Sequence, residues 1–347
     1  MAQELRRADP SGAVLIVGRR GGVAEELVRG DGVELQTIAM SGLDLSSLRS
    51  TAAFGARMPL AVLAARRLIR RFRADVVVGA AGYVCVPVVL AARAAGIPVV
   101  LLEQNALPGR AVRLLARRAR VVATSFEETA QHLRGARVVC TGNPVRRDVL
   151  SVAPSPPGDR LGHLLVMGGS QGAHRLNDAV VQVAESMLRN DPGLLITHQS
   201  GATDAPRMAA FAAALPADVR ERYRTAAFFD PVSSVLAECD QVIMRAGGSS
   251  LAECSALGRP MILVPYPHAG GHQTHNAAPY VDAGAALLLD DANCDGAHLA
   301  ELVTQLTADP KRWRAMANAS RRMARPGAAT EVATLIQAAA ATGWRVA

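Results

Sequence analysis

Short apolar segments alternate with longer amphipathic segments along almost the whole chain. Ten of the apolar segments are rich in Val, Ile and Leu without polar alternation, which is typical of parallel strands covered on both faces. The predicted strands are residues 13–17, 75–78, 98–102, 121–124, 137–140, 163–167, 194–198, 241–244, 261–264 and 286–289. Segments between them, such as 173–188 and 249–257, repeat apolar residues every three or four positions, as helices do. The repeated strand–helix order predicts an α/β fold with two doubly wound domains.

A segment rich in Pro and Ser separates the two series of strands. Residues 151–160 contain Pro154, Pro156 and Pro157 followed by Gly158, a composition typical of linkers. We therefore expect an N-terminal domain over residues 1–150, a linker over 151–160 and a C-terminal domain over 161–325. Residues 326–347 are expected to form a helix that packs back on the N-terminal domain.

The composition narrows the possible chemistry. The 347 residues are 50% hydrophobic, a proportion that excludes a disordered chain. Lys311 is the only lysine and opens a predicted helix, so mechanisms that need a phosphate-loop lysine or a Schiff-base lysine are disfavoured. The five cysteines show no metal-binding spacing, and no stretch of about 18 uncharged apolar residues predicts a membrane span.

The positive charge of the chain is concentrated in its first half. Residues 1–150 hold 22 Arg and 12 acidic residues, whereas the remaining residues carry a net charge of −2. This asymmetry indicates either an anionic partner of the first half (a phosphate, a nucleic acid or a membrane surface) or a solvated arginine-rich surface. Because only 3% of the residues are aromatic and no basic reader motif occurs, nucleic-acid binding is disfavoured.

Two Gly-rich turns in the second half each join a predicted strand to a helix. Residues 168–172 (GGSQG) form one turn, and residues 245–250 (RAGGSS) form the other. Such turns let backbone N–H groups and a helix N-terminus approach an anion, although many of them are purely structural. Glu253 lies one turn into the second helix, where a carboxylate can accept both hydroxyls of a ribose. Glu253 can also close a capping box with Ser250 as the N-cap, and the two roles are compatible.

A polar cluster follows the predicted strand 261–264. His268, His272 and His275 flank two glycines, an arrangement that invites a metal-site interpretation, but no carboxylate completes a ligand set. Hydrogen bonding to sugar hydroxyls explains the cluster better, and we expect no metal and no cofactor.

Several of these motifs together resemble the bacterial MurG glycosyltransferases of family 28. The matching segments are GGSQGAHRLN (168–177), FFDPV (228–232), RAGGSSLAE (245–253) and PHAGGHQTHNA (267–277) in the second half, and GAAGYV (79–84), EQNALPG (103–109) and TGNPVR (141–146) in the first. The resemblance extends from Met1 to about residue 326. It implies a GT-B fold, in which two Rossmann-like domains face each other across a cleft.

The resemblance implies inverting transfer of N-acetylglucosamine (GlcNAc) from UDP-GlcNAc to the C4 hydroxyl of MurNAc in undecaprenyl-pyrophosphoryl-MurNAc-pentapeptide (lipid I). The product would be lipid II, a precursor of peptidoglycan. By position, the Phe229 backbone would hold the uracil and Glu253 the ribose. The other donor-binding residues implied are Asn105, Arg146, Ser170, Gly248, Ser249, Ser250, His272 and Gln273. Arg146 could equally form an inter-domain salt bridge, and Arg245 is expected to support its loop.

The resemblance implies a peripheral protein on the cytoplasmic face of the cell membrane. Its first half is expected to bind lipid I and to contact the membrane. Arg19, Arg20, Gly82 and Tyr83 are the predicted acceptor-side residues. Residues 48–73 interleave arginines with apolar residues, which predicts either a basic amphipathic helix on anionic lipid or an ordinary covering helix. The resemblance also implies other cell-wall synthesis proteins as partners.

Two departures from the family pattern concern the catalytic base. Family members begin with a strand, a Gly-Gly-Thr-Gly-Gly-His loop and a helix, whereas this sequence begins within that helix. Leu102 occupies a position that is commonly His in the family, and Glu103 is then the nearest carboxylate, although a structural role suits it better. We expect the central strand to be missing with unpaired edges beside it, and the full protein to be roughly 20–30 residues longer.

Two alternative functions stay open. The missing base candidates are compatible with a non-catalytic relative that binds a UDP-sugar or a lipid. The same donor-site motifs are compatible with a UDP-sugar transferase that uses another lipid acceptor.

Overall fold

A computed structural model describes residues 1–19, 33–40, 48–80, 82–152, 161–169 and 172–342. The chain divides into two compact units. Unit 1 contains Met1–Pro144 and Gly327–Ala347, and unit 2 contains Val145–Pro326. Arg20, Ser170 and most of the predicted linker lie outside the described residues.

The described strands of unit 1 are all parallel and form two separate sheets. They are β1 (Leu15–Arg19), β2 (Glu34–Ile38), β3 (Val77–Gly79), β4 (Val99–Glu103), β5 (Val121–Thr124) and β6 (Val138–Cys140). The helices are α1 (Ala2–Ala8), α2 (Leu48–Phe72), α3 (Cys85–Ala94), α4 (Arg110–Leu115) and the C-terminal helix (Ala328–Thr342), with 3-10 turns at Ala116–Arg118 and Glu128–His132. One sheet pairs β1 with β2, and the other has the order β3-β4-β5-β6.

Both faces of the four-stranded sheet are covered by helices, which explains why its strands are continuous apolar segments. On one face, Leu101 packs in a cluster with Ile69 of α2 and Val89 of α3. On the other face, Val100 packs in a cluster with Val332 of the C-terminal helix. The C-terminal helix therefore completes the core of unit 1, although it follows unit 2 in sequence.

A cavity of about 600 Å³ separates the two sheets of unit 1. Its lining includes Leu15 and Val17 of β1 on one side, and Val76 and Val78 at β3 on the other. Within the described residues, β1 pairs only with β2, and the only partner of β3 is β4. Each of these two strands therefore has one edge without a partner strand among the described residues.

Unit 2 contains one parallel sheet of six strands in the described residues, with helices on its faces. The strands are β7 (His163–Met167), β8 (Leu195–Gln199), β9 (Tyr223–Ala226), β10 (Gln241–Met244), β11 (Met261–Leu263) and β12 (Ala286–Leu288). The helices are α5 (Arg147–Ser151), α6 (His174–Asn190), α7 (Ala205–Ala214), α8 (Ala217–Arg220), α9 (Val232–Glu238), α10 (Gly248–Ala256), α11 (His272–Asp282), α12 (Gly296–Thr307) and α13 (Pro310–Met323), with 3-10 turns at Ala269–Gly271 and Asp291–Asn293. The strand order is β12-β11-β10-β7-β8-β9.

The ten predicted strands all form, with bounds shifted by at most two residues. The prediction missed β2 and β9. Both carry polar residues within short segments, Glu34-Leu35-Gln36-Thr37 in β2 and Arg224-Thr225 in β9, and both lie at an edge of their sheets. Edge strands need less apolar character because one side of the strand has no neighbouring strand to pack with, so the criterion of a continuous apolar segment misses them.

Candidate ligand-binding site

The carboxyl ends of five neighbouring strands in unit 2 place their following segments along one edge of the sheet. Because the strand order is β11-β10-β7-β8-β9, these segments follow one another in the same order. Ligands of open α/β sheets bind at this edge. Every donor-binding residue predicted in the second half follows one of these strands in sequence.

The Gly-rich turn after β7 is held against the end of β8. The Gly168 N–H donates to the Gln199 carbonyl oxygen at 3.1 Å. Gly172 has a φ of 79°, and a Cβ at this position would lie 2.7 Å from the Ser200 carbonyl oxygen. Only glycine permits both this conformation and this close approach, so the backbone path of the turn requires glycine at position 172.

The second Gly-rich turn leads directly into α10. The helix begins at Gly248 with Gly247 as its N-cap, and no side chain caps it. The capping box with Ser250 as the N-cap is therefore wrong, because Ser250 is already the third residue of the helix. The early N–H groups of a helix have no intrahelical acceptor, so the start of α10 presents donors suited to an anion.

Glu253 is buried and paired with an arginine of the same unit. It is 5% exposed, and its Oε1 accepts a hydrogen bond from Arg146 Nε at 2.8 Å. Burial opposes the charged form of Arg146, but the hydrogen bond and charge of Glu253 outweigh it and raise the arginine pKa. Both residues belong to unit 2, so this salt bridge is not the inter-domain bridge considered as the alternative for Arg146.

Arg245 supports its loop, as expected. It is 9% exposed, and its Nη1 donates to the Val264 carbonyl oxygen at 3.0 Å and to Asp291 Oδ1 at 2.5 Å. Its guanidinium carbon also lies 5.6 Å from the centre of the Tyr266 ring. These contacts tie the loop after β10 to the segment after β11.

The segment after β11 is closed by Gln273. The Tyr266 N–H donates to Gln273 Oε1 at 2.9 Å, while Gly270 and Gly271 adopt left-handed conformations just before α11. His272 and Gln273 are thus the first two residues of α11. Throughout the described ranges, no group of three or more His, Cys, Asp or Glu residues could hold a metal ion.

The Phe229 backbone is held by a side chain that the sequence did not single out. The Phe229 N–H donates to Gln199 Oε1 at 3.3 Å, and Gln199 is 6% exposed. The available signal for Gln199 was weak, because it is the last of three consecutive polar residues that end β8.

A buried polar network, also missed from the sequence, lies behind the turn after β7. His198 Nδ1 lies 2.7 Å from the Tyr223 hydroxyl, and His198 Nε2 lies 2.9 Å from Asn177 Oδ1. Asn177 Nδ2 donates to the Ser200 carbonyl oxygen at 3.0 Å and to Asp204 Oδ2 at 2.7 Å. Because Asn177 Oδ1 can only accept, Nε2 of His198 carries the proton and Nδ1 accepts from the tyrosine. Burial lowers the pKa of His198 to about 4, so the ring is neutral.

In unit 1, Glu103 organises the loop that follows β4. Glu103 is 1% exposed, and its Oε1 accepts from the Asn105 N–H at 2.9 Å and from Asn105 Nδ2 at 3.0 Å. Its Oε2 accepts from the Gly109 N–H at 2.8 Å. These three hydrogen bonds fix the conformation of the loop and the orientation of the Asn105 amide.

Of the predicted acceptor-side residues, Arg19, Gly82 and Tyr83 lie within the described part of unit 1. Arg19 is the last residue of β1 and is exposed. Gly82 has a φ of 75°, and its carbonyl oxygen accepts from Cys85 Sγ at 2.9 Å. The Tyr83 ring contacts the Phe54 ring edge-on, with centres 6.0 Å apart.

The helix predicted over residues 48–73 is confirmed as α2. Its apolar face, which includes Ile69, packs against the core of unit 1. Leu60 and Leu63 are 70% and 46% exposed. The exposed arginines of this helix are Arg57, Arg66, Arg67, Arg70 and Arg71. In the described part of the chain, no helix combines the length and the apolar character that a membrane span requires.

Comparison with known proteins gives matches over nearly the whole chain. The model of the glycosyltransferase family 28 N-terminal domain matches residues 1–124, and that of the glycosyltransferase family 28 C-terminal domain matches residues 163–332. Among solved structures, MurG of Acinetobacter baumannii is similar with a TM-score of 0.73 and 28% identity, covering 97% of this chain and 94% of that chain.

Two curated relatives carry the same name, UDP-N-acetylglucosamine–N-acetylmuramyl-(pentapeptide) pyrophosphoryl-undecaprenol N-acetylglucosamine transferase. The protein from Anaeromyxobacter dehalogenans strain 2CP-1 is 37% identical, covering 96% of this chain and 86% of the relative. The protein from Desulforudis audaxviator is 36% identical, covering 99% of this chain and 95% of the relative.

Proposed function

Because this chain belongs to glycosyltransferase family 28, we propose that it transfers GlcNAc from UDP-GlcNAc to the C4 hydroxyl of MurNAc in lipid I, giving lipid II. The names of the two curated relatives describe this activity, and both relatives align over almost the full chain. The observation that supports the proposal best is the buried Glu253 carboxylate, which Arg146 holds beside the Gly-rich start of α10.

The order of the segments in unit 2 supports an extended nucleotide-sugar lying along the sheet edge. The Phe229 backbone after β9 would bind uracil, and Glu253 in α10 would accept the ribose hydroxyls. The Gly-rich turns after β7 and β10 would bind the diphosphate, with Ser170, Gly248, Ser249 and Ser250. His272 and Gln273, after β11, would bind the GlcNAc hydroxyls. Neighbouring strands are about 4.8 Å apart, so five segments span a length comparable to that of the ligand.

Arg146 would act on the donor through Glu253 as well as by its own charge. The guanidinium engages Oε1 and leaves Oε2 for the ribose diol. The negative charge that develops on the departing UDP would be stabilised by the N–H groups and the dipole at the start of α10. The acceptor hydroxyl would displace UDP from the opposite face of the sugar ring in a single inverting step.

Unit 1 would bind the acceptor. Glu103 is engaged by three backbone and amide donors, which supports a role in orienting Asn105 rather than in removing the acceptor proton. The sugar contact of Asn105 and the acceptor contacts of Arg19, Arg20, Gly82 and Tyr83 stay predictions.

Unit 1 would also carry the contact with the cytoplasmic face of the cell membrane. The exposed arginines of α2 and the exposed Leu60 and Leu63 on the same helix support binding to anionic lipid. Other cell-wall synthesis proteins stay predicted partners.

Calorimetry and a turnover assay on the full chain test the proposal together. We expect UDP-GlcNAc to bind, and we expect UDP to be released with lipid I but not with diacylglycerol. Release with diacylglycerol instead would favour a transferase of another lipid acceptor. Binding without release with either acceptor would favour a non-catalytic relative, and absence of UDP-GlcNAc binding would overturn the proposal.

A further inference from the structure

The carboxyl end of β8 lies between the two segments that the proposed function assigns to the diphosphate and to the base. In the sheet, β8 is the neighbour of both β7 and β9. Gln199, the last residue of β8, contacts both segments. Its carbonyl oxygen accepts from the Gly168 N–H at 3.1 Å, and its side-chain Oε1 accepts from the Phe229 N–H at 3.3 Å.

The residue after Gln199 supports the same Gly-rich turn from its other end. The Ser200 carbonyl oxygen accepts from Asn177 Nδ2 at 3.0 Å, and Gly172 passes so close to this oxygen that a Cβ would lie 2.7 Å from it. The end of β8 therefore hydrogen-bonds one end of the turn at Gly168 and lies close to the other end at Gly172, while the Gln199 side chain holds the Phe229 backbone.

The polar side chain of Gln199 needs a reason, because the residue is only 6% exposed. Burying an amide is unfavourable unless it gains hydrogen bonds, and an apolar side chain of similar size would fill the space without that cost. The hydrogen bond to Phe229 is the feature that an apolar residue could not provide.

Holding the Phe229 N–H has a chemical consequence for its carbonyl oxygen. No described residue donates to this oxygen, whereas the N–H is already engaged by Gln199. Uracil carries a proton on N3 and can donate to a carbonyl oxygen, while N3 of cytosine carries none and can only accept. A fixed Phe229 carbonyl can therefore distinguish the two bases.

We propose that Gln199 is a positioning residue that fixes the Phe229 backbone relative to the Gly168 turn and thereby sets the preference for a uracil nucleotide. This inference rests on the proposed function, in which these two segments bind the base and the diphosphate. Gln199 acts through Phe229 and takes no part in the transfer step.

The chain contains a matched control for this residue. Gln241 lies in β10 of the same sheet and is also buried, but neither polar atom of its side chain has a hydrogen-bond partner among the described residues. A Gln→Met substitution at either position keeps the length of the side chain and removes its amide. Only the substitution at Gln199 removes a hydrogen bond to the donor site.

Calorimetry on the full chain with UDP and CDP tests the inference. We expect Gln199→Met to weaken UDP binding about three- to tenfold, the equivalent of one hydrogen bond, and to reduce the ratio of UDP to CDP affinity by a similar factor. At saturating UDP-GlcNAc, kcat should stay within twofold of that of the unchanged protein. Gln241→Met should leave both affinities and their ratio unchanged.

A second pair of variants covers the case in which Gln199→Met fails to fold. Gln199→Glu keeps an accepting oxygen for the Phe229 N–H, so the UDP/CDP ratio should stay near that of the unchanged protein even if the added charge weakens both ligands. Gln199→Asn is too short to reach Phe229 and should lose the preference.

An unchanged UDP/CDP ratio in Gln199→Met or in Gln199→Asn would overturn the inference, provided that the unchanged protein binds UDP. If the unchanged protein binds neither UDP nor UDP-GlcNAc, it is the proposed function that fails.

Discussion

Arg146 Nε and Glu253 Oε1 lie 2.8 Å apart, although the two residues are separated by 107 positions in sequence. The carboxylate is largely buried, with 7% of its side chain exposed, whereas 58% of the arginine side chain is exposed. The pair therefore places a charge-assisted hydrogen bond at the start of α10 with its cation towards solvent. This arrangement holds the carboxylate of Glu253 at the position where the proposed ribose diol would need an acceptor.

Substitution of Glu253 tests this arrangement. Glu253→Gln keeps the shape of the side chain but removes its charge and one accepting oxygen, so we expect UDP-GlcNAc binding to weaken by about tenfold or more. Isothermal titration with UDP-GlcNAc measures the effect. Glu238→Gln is the control, because Glu238 forms an exposed pair with Arg224 and should leave the affinity within twofold. Equal affinities of the two variants would contradict a role for Glu253 in donor binding.

Substitution of Glu103 separates a structural role from a catalytic one. In Glu103→Gln one terminal NH₂ would face a backbone N–H, so we expect the free energy of unfolding to fall by about 1–3 kcal/mol. Urea denaturation measures this loss. Undiminished stability together with abolished turnover would instead indicate that Glu103 is the general base.

The buried His198 predicts acid sensitivity of unit 2. Because burial lowers its pKa from 6.5 to about 4, the unfolded chain binds a proton at a higher pH than the folded protein does. The stability contribution is therefore complete above about pH 6.5 and is lost as the pH falls towards 4, by up to about 3 kcal/mol. Burial also lowers the pKa of His163, which adds to the loss in the same direction.

Denaturation of His198→Gln at pH 7 and pH 4.5 measures the His198 contribution. We expect the variant to lose less stability between these values than the unchanged protein does. Asp204 contributes outside this window: burial opposes its ionisation, but hydrogen bonds from Asn177, Arg207 and His174 lower its pKa to about 2. Its contribution is complete above about pH 4 and disappears only as the pH falls through 2. Identical pH dependence of the variant and the unchanged protein would refute the assignment to His198.

The exposed surface of α2 predicts binding to anionic vesicles. The double variant Arg66→Glu, Arg67→Glu reverses two exposed charges, and each cation near a membrane surface contributes about 1 kcal/mol. In a co-sedimentation assay, we expect the double variant to bind phosphatidylserine vesicles at least about tenfold more weakly than the unchanged protein. We expect neither protein to bind phosphatidylcholine vesicles. Arg220→Glu with Arg224→Glu in unit 2 is the matched control. Similar losses in both double variants would indicate general charge attraction without a specific membrane surface on α2.

Much of this fold could be predicted because the four-stranded and six-stranded sheets consist of parallel strands covered by helices. Segments 163–167 and 241–244 are apolar after a single polar first residue, and their bounds match those of the observed β7 and β10. The Gly-rich turns were also predictable, since glycine is required where Gly172 passes the Ser200 carbonyl oxygen. Chain order alone located these turns at strand ends.

The contacts that define the site could not be predicted in the same way. The Arg146–Glu253 bridge joins distant segments, and nothing in the local pattern at either residue indicates its partner. Gln199 gave little signal of its own, because Thr197 and His198 before it are also polar. Its contact with Phe229 depends on β9, a strand that the apolar pattern did not predict. The predicted capping box at Ser250 was wrong because the helix begins two residues earlier, at Gly248, with Gly247 as its N-cap.

The transfer of labelled GlcNAc from UDP-GlcNAc to lipid I tests the central proposal most directly. We predict that the full chain moves the label into a lipid product with the release of one UDP per sugar transferred, and that Glu253→Gln moves far less at the same donor concentration. A chain that binds neither UDP nor UDP-GlcNAc, and moves no label to lipid I, would contradict the proposed function.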